Sequence, residues 1–363
     1  MIDDKAERKK YKTLPESYSN VKPAYIAAKD PKAPELSIPH DKLQPNITTT
    51  LSDAKEKEKV WLHGCETISK DEDNEGISQA CAPFHAQSIT KTTTPVESSM
   101  RPLFHEKADT PAMIKHTMEL AITITEKLSP GQTPVLYLDE PLYAQAKKLQ
   151  WQHAHIAEDK IVIMLGGLHI EMAILSLIGT LLKESGWSEI LADAGVTTPG
   201  RAEAMTGASD VKAARYAHQV TCAALHRLMK NSYEKDRDAK ELKTKENGES
   251  ETFEEWKERR RNDNPLFFYW ALILDLEILL NIYIRSLREG NFQLHLEVLT
   301  AFVPWFMALD RINYRRWLPF YLKDMANLKE KHPLLHQKFS EGHFVASRSE
   351  ARFSAIAGDQ VIV

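Results

Sequence analysis

Two short apolar stretches decide the fold class of this chain: residues 134–143, PVLYLDEPLY, and residues 161–172, IVIMLGGLHIEM. Each stretch reads as a buried strand that ends in polar or glycine-rich residues and leads directly into a helical pattern. We predict strands at 134–139 and 160–165, with a helix over 141–151 between them. Because a strand–helix–strand unit favours a right-handed crossover, the two strands are expected to be parallel.

The chain around these strands divides into three zones. Residues 1–110 are rich in Pro, Thr, Ser, Lys and Asp and are predicted to be loosely structured and irregular, with one short helix capped by Ser52. Residues 111–195 form the α/β core fragment, which opens with a helix ending at Leu128, and residues 196–363 read as helical. The candidate helices of the last zone are 199–206, 210–233, 252–262, 265–288, 291–309, 312–328 and 332–340, with an exposed loop over 236–250. The predicted fold class is therefore α/β, mainly α overall.

One apolar stretch, residues 266–287, has the length of a membrane span. It contains Asp275, Glu277 and Arg285, and charged groups near the centre of a spanning helix are costly. We therefore predict a mostly buried helix of a soluble domain, no transmembrane segment and no membrane partner.

Composition and the N-terminus predict an intracellular protein, in the nucleus or the cytoplasm. The net charge of −4 argues against a protein whose whole surface binds nucleic acid, and three cysteines without a CxxC pair indicate a reducing compartment. The first residues are charged and lack an apolar stretch, so no signal peptide is expected. The basic run at 7–12, ERKKYK, is either a nuclear localisation signal or a solvated cluster of charges.

Asp139 is the candidate that the strand pattern itself points to. It follows an apolar strand, and ligands of α/β folds bind outside the carboxyl ends of the strands. Such a carboxylate can bind Mg²⁺ through its oxygen atoms. The alternative is a helix N-cap, since Asp139 lies just before Pro141 and can accept hydrogen bonds from the first turn of the next helix.

His169 follows the second strand, behind the pair Gly166 and Gly167. With Glu171 it forms the His-x-Glu half of a zinc deaminase signature, but the Pro-Cys-x-x-Cys half is absent and we reject that assignment. The glycine pair before a helix could cradle a phosphate, although neither GxGxxG nor GxxxxGK[ST] is present. A backbone geometry that requires glycine is the other interpretation.

Two further groups have both a functional and a structural interpretation. His218, Cys222 and His226 recur at four-residue intervals on one helix face, which suits zinc ligands, but the sequence shows no partner pair and packing explains them equally well. Basic clusters at 259–261, 285–288 and 315–316 could contact nucleic-acid phosphates, or could lie on solvated helix faces.

Long segments of the chain resemble a known family. The segments are LPESYSNVKPA, FHEKADTPAMIKHTM, LSPGQTPVLYLDEPLYAQAKKLQW, IVIMLGGLHIEMA, ARYAHQVTCAAL, YIRSLREGNF, VPWFMALDRINYRRWLP and FSAIAGDQ. Together they resemble a multicopy family of uncharacterised animal proteins, similar to transposon-associated domains of unknown function thought to carry an RNase H-like transposase core. The resemblance runs from residue 14 to 360 and is dense from about 104 onward.

The resemblance implies a partial RNase H-like core in which three acids hold two Mg²⁺ ions for cleavage or transfer of nucleic-acid strands. Of the three, only Asp139 matches cleanly, in a motif that relatives usually write Asp-Gln-Pro-Leu-Tyr. An Asp-Asn motif would precede this chain, and the C-terminal Asp-Gln-x-x-Glu motif is represented by Asp359 and Gln360 with Val363 in place of the Glu. Distant relatives often place an acid at the position of Gly167.

These departures lead to the expectation of a transposon-derived chain, truncated at both ends and catalytically inactive. Asp139 is the expected catalytic and metal-binding residue of the ancestral site, with His169 as a second catalytic candidate. No cofactor is expected in this fragment, Mg²⁺ and DNA belong to the ancestor, and no small-molecule substrate is expected. The alternatives are a helical module that binds protein or nucleic acid, and a residual Mg²⁺-dependent nuclease centred on Asp139.

Overall fold

The structure, a computed structural model, describes residues 49–67, 81–87, 95–97, 106–241, 251–350 and 355–361. Helices account for 76% of it and strands for 5%, which confirms the predicted mainly α class. The helices are α1 (Thr49–Thr67), α2 (Cys81–Gln87), α3 (Pro111–Leu128), α4 (Glu140–Gln152), α5 (Gly167–Leu182), α6 (Trp187–Asp193), α7 (Pro199–Met205), α8 (Val211–Glu241), α9 (Phe253–Asp263), α10 (Pro265–Glu289), α11 (Phe292–Ala308), α12 (Ile312–Ala326), α13 (Leu328–Lys331) and α14 (Pro333–Lys338). The strands are β1 (Val135–Leu138), β2 (Val162–Leu165), β3 (Val345–Ser347) and β4 (Ala355–Ala357).

The parallel strand pair predicted from the sequence is present. β1 and β2 are joined through α4 and pair in parallel, from Val135 opposite Val162 to Leu138 opposite Leu165. Every residue of β2 is buried, whereas the residues of β1 are half-buried. Because parallel strands end at the same edge of their sheet, the residues that follow β1 and β2 lie at a common edge.

The helix before β1 begins and ends where capping chemistry places its ends. The side-chain oxygen of Thr110 accepts a hydrogen bond from the Met113 amide at 3.3 Å, and Pro111 occupies the first turn, where its missing N–H costs nothing. Ile114 and Met118 are the buried side chains of α3. The predicted end at Leu128 is confirmed.

An ion network ties α4 to the segments that flank the opposite end of the sheet. The ammonium group of Lys147 is buried and lies 2.7 Å from Glu158 and 2.8 Å from Asp324. Gln150, one turn further along α4, donates to the carbonyl oxygen of Ile161 just before β2. These contacts fix the segment between α4 and β2 against α12.

A second, antiparallel pair of strands, β3 and β4, was not predicted. Each has only three residues, too few for a period of two to be recognised. The pair leads into a 3₁₀ turn, Gly358–Val361, that packs on β1: a side chain at Gly358 would collide with the ring of Tyr137. The Tyr137 hydroxyl donates to the Phe344 carbonyl oxygen at 2.7 Å. The C-terminal segment is thereby held beside the first strand.

Several predicted boundaries were wrong. The first helix begins at Thr49 and runs to Thr67, so Ser52 lies inside it and is not its cap. Both α1 and α2 fall in the zone expected to be irregular; most of the rest of that zone, including the basic run at 7–12, lies outside the described residues. Helix α8 continues to Glu241, so residues 236–241 are helical and do not form the predicted loop. The remainder of that prediction, residues 242–250, lies outside the described residues.

By its internal contacts the chain divides into two units. Unit 1 comprises Met1–Leu51, His85–Leu177 and Tyr283–Val363, and unit 2 comprises Ser52–Phe84 and Ile178–Ile282. Both strand pairs belong to unit 1. In unit 2, α1, α2, α8, α9 and α10 contribute to a core around Trp256.

Among the described residues, α10 is long and apolar enough to cross a membrane by length and composition. In the structure, 56% of its most apolar window is buried inside the protein. The core helix of a soluble protein passes the same test, so this helix does not decide the predicted absence of a membrane partner.

Candidate functional site

The first strand delivers Asp139 to the sheet edge, as predicted, and its carboxylate caps α4. Its Oδ1 atom accepts a hydrogen bond from the Leu142 amide at 3.1 Å, and Pro141 occupies the first turn of the helix. This is the N-cap alternative of the two that the sequence left open. A structural role therefore accounts for the residue type at this position.

The second strand is followed by Gly166 and Gly167, and the C-terminal segment passes directly over both glycines. A Cβ atom on Gly166 would collide with the carboxylate of Asp359, and one on Gly167 would lie 2.8 Å from the Cβ of Ala357. Only glycine allows this close approach. The two glycines thus serve backbone geometry, the second interpretation offered by the sequence.

Asp359, in the 3₁₀ turn after β4, lies against the N-terminus of α5. Its carboxylate accepts hydrogen bonds from the amides of Leu168 at 3.0 Å and His169 at 3.2 Å, and from the His169 Nδ1 atom at 3.0 Å. The side chain of Asp359 is 7% exposed, whereas that of His169 is 39% exposed. A helix N-terminus attracts a negative charge because its first amides have no partner within the helix.

The directions of the two pKa shifts agree with an ion pair. Burial by itself would raise the pKa of Asp359, but the hydrogen bonds from His169 and from the two backbone amides lower it below its usual range. The hydrogen bond to Asp359 raises the pKa of His169 against the opposing effect of burial, and the charge of Asp139 adds to the increase. A negative Asp359 and a positive His169 stabilise each other.

Glu140 brings a third carboxyl group to this edge. It is 5% exposed, and burial together with the charge of Asp139 raises its pKa to about 7, despite the charge of Arg316 and a hydrogen bond from Asn313. Burial raises the pKa of Tyr314, also on α12, and the charges of Glu140, Asp359 and Asp139 raise it further. The C-terminal part of the chain thus lines the edge at which β1 and β2 end.

The three residues considered as zinc ligands, His218, Cys222 and His226, have side chains that contact different parts of the structure and do not meet at one position. His218 is wholly buried and its Nδ1 atom lies 2.8 Å from a carboxylate oxygen of Glu277. His226 packs edge-on against the ring of Phe253 at 5.8 Å between centroids. Cys222 enters the apolar core of unit 2. Spacing on one helix face did not decide the contacts of these three side chains.

Basic residues of the helical zone form ion pairs within the protein. Arg259 lies 2.8 Å from Glu251, and Arg261 pairs with Asp275. Arg285 lies 2.8 Å from Glu289, and Arg315 pairs with Asp310. These clusters are therefore partly neutralised, which weakens the case for phosphate contacts.

The carboxylates at the ends of the strands are the candidate ligands for two Mg²⁺ ions. Mg²⁺ demands oxygen ligands in near-octahedral positions. Both oxygens of Asp359 already accept hydrogen bonds from N–H groups, and Asp139 is engaged as a helix cap. In this arrangement the residues do not fit a two-metal centre.

Sequence reasoning selected Asp139 and His169 as candidates but did not reveal the contact between Asp359 and His169. Asp359 was recognised only as part of an incomplete motif, and nothing local to it indicates that it faces α5 across 190 residues. Glu140 was noted beside Asp139 at the strand end but was given no role of its own. Its burial depends on α12, which the residues around it do not reveal.

Comparison with known proteins identifies a family but no activity. A family model described as a domain of unknown function (DUF8702) matches residues 84–363, so the chain belongs to that family. No curated protein and no solved structure matches it.

Proposed function

We propose that this member of the DUF8702 family is a catalytically inactive descendant of a metal-dependent enzyme that cleaved or transferred nucleic-acid strands. The strand-end carboxylates then hold the fold together and no longer hold metal ions. One observation carries the proposal: the carboxylate of Asp359 caps α5 and pairs with His169, with its oxygens turned towards N–H groups.

The ancestry rests on the resemblance and is supported by position. Asp139 and Asp359 are the two acids whose surroundings resemble the acidic motifs of transposase-like relatives. Both act electrostatically on His169, at the edge where the two parallel strands end. Catalytic groups of α/β folds gather at such an edge. Loss of the metal centre with retention of its scaffold accounts for both features.

The inactivity is tested by a cleavage assay with the full chain. Single- and double-stranded DNA are incubated with the wild-type protein and with Asp139→Ala, with Mg²⁺ or with a chelator. We expect no Mg²⁺-dependent products from either protein and no saturable Mg²⁺ binding by calorimetry. Mg²⁺-dependent cleavage that Asp139→Ala abolishes would overturn the proposal.

That opposite outcome would support the second candidate, a residual Mg²⁺-dependent nuclease centred on Asp139. The observation in its favour is that, besides burial, the charges of Glu140, Asp359 and Asp139 all raise the pKa of Tyr314. A group of carboxylates at one edge could supply the oxygen ligands of Mg²⁺ ions. A Mg²⁺-induced release of Asp359 from α5 would then be required.

A helical binding module is the third candidate. Its nucleic-acid form requires basic groups that can reach phosphates, and several arginines of this region are engaged in internal ion pairs. Affinity for DNA that falls steeply as salt is raised would support this candidate over the first. Binding without cleavage would be compatible with an inactive catalytic edge.

A further inference from the structure

We draw no further inference here: the strongest candidate, the cavity at the amino end of β2 in unit 1 that is lined by Lys147, Glu158, Asp324 and Lys331, carries nothing, because these charged groups already pair with one another and its volume of about 20 Å³ leaves room for water but not for a larger ligand.

Discussion

Replacing Asp359 by Asn tests whether the carboxylate at the edge of the parallel strands is a structural element. The substitution keeps the size of the side chain and removes its charge. The amides of Leu168 and His169, at 3.0 and 3.2 Å, then face a weaker acceptor, and the His169 ring loses its ion-pair partner. An effect on stability is expected even if this edge performs no chemistry.

The size of the effect follows from the three contacts. Exchange of the charged acceptor for the neutral oxygen of Asn weakens the hydrogen bonds from the two amides and costs about 1 kcal/mol. The ion pair adds less than about 1 kcal/mol, because the His169 side chain is 39% exposed and solvent screens the interaction. A carboxylate at a helix N-terminus adds a few tenths of a kcal/mol through the helix dipole. The free energy of unfolding should therefore fall by about 2 kcal/mol.

The pH dependence of this loss distinguishes an ion pair from simple packing. The pKa of Asp359 is lowered from 3.8, so its contribution is present above about pH 4 and is lost as the pH falls through the lower folded value. The pKa of His169 is raised from 6.5, so its contribution is present below about pH 6.5 and is lost as the pH rises through the higher folded value. The difference between wild type and Asp359→Asn should be largest between these limits.

The assay is urea unfolding of both proteins at pH 5.5 and pH 8.5. Asp109→Asn, an exposed position in unit 1, is the matched control for the charge change and should leave stability within about 0.5 kcal/mol. If Asp359→Asn is as stable as the wild type at pH 5.5, the carboxylate does not cap α5. A loss that is identical at both pH values would refute the role of His169.

Three further substitutions test the packing and charges within unit 1. Gly166→Ala should destabilise the fold by about 2 kcal/mol or more, because the added methyl group collides with the C-terminal turn. The control is Gly200→Ala, whose methyl group meets no atom within 4 Å and which should be neutral or stabilising by up to about 1 kcal/mol. Both variants are compared with the wild type by denaturant unfolding. Glu140→Gln should stabilise the fold by about 2–3 kcal/mol above pH 7, because the raised pKa of about 7 shows that the charged carboxylate is destabilising in the folded state. Below about pH 4.5 the carboxyl group is neutral in both states, and the substitution should have no effect. Unfolding is measured at pH 4.5 and pH 8, and a difference that does not depend on pH would contradict this prediction. Lys147→Met should lower the free energy of unfolding by about 3–5 kcal/mol, because Glu158 and Asp324 lose their buried partner. The control is Lys148→Met, on the exposed face of the same helix, which should have little effect. Equal thermal midpoints for the two variants would contradict this prediction.

Local sequence patterns were sufficient for the elements whose signals are local. The ends of α3 follow from Thr110, Pro111 and the turn after Leu128, and the parallel pair follows from two apolar runs separated by one helix. Asp139 was placed at a strand end for the same reason, with its capping role as one of two alternatives. These outcomes depend on hydrogen bonds and periodicities that span a few residues.

Contacts between distant segments could not be read in this way. The sequence identified Gly166 and Gly167 as special without showing that Asp359 lies over them, and it placed His218, Cys222 and His226 on one face without showing that their contacts differ. The mainly α class, the parallel strand pair and the place of Asp139 at a strand end were therefore determined by the sequence alone, whereas its capping role remained one of two alternatives. The ion pair between Asp359 and His169 at the α5 N-terminus was decided only by the tertiary structure, because the packing of remote segments determines which polar groups lose their water and must find partners.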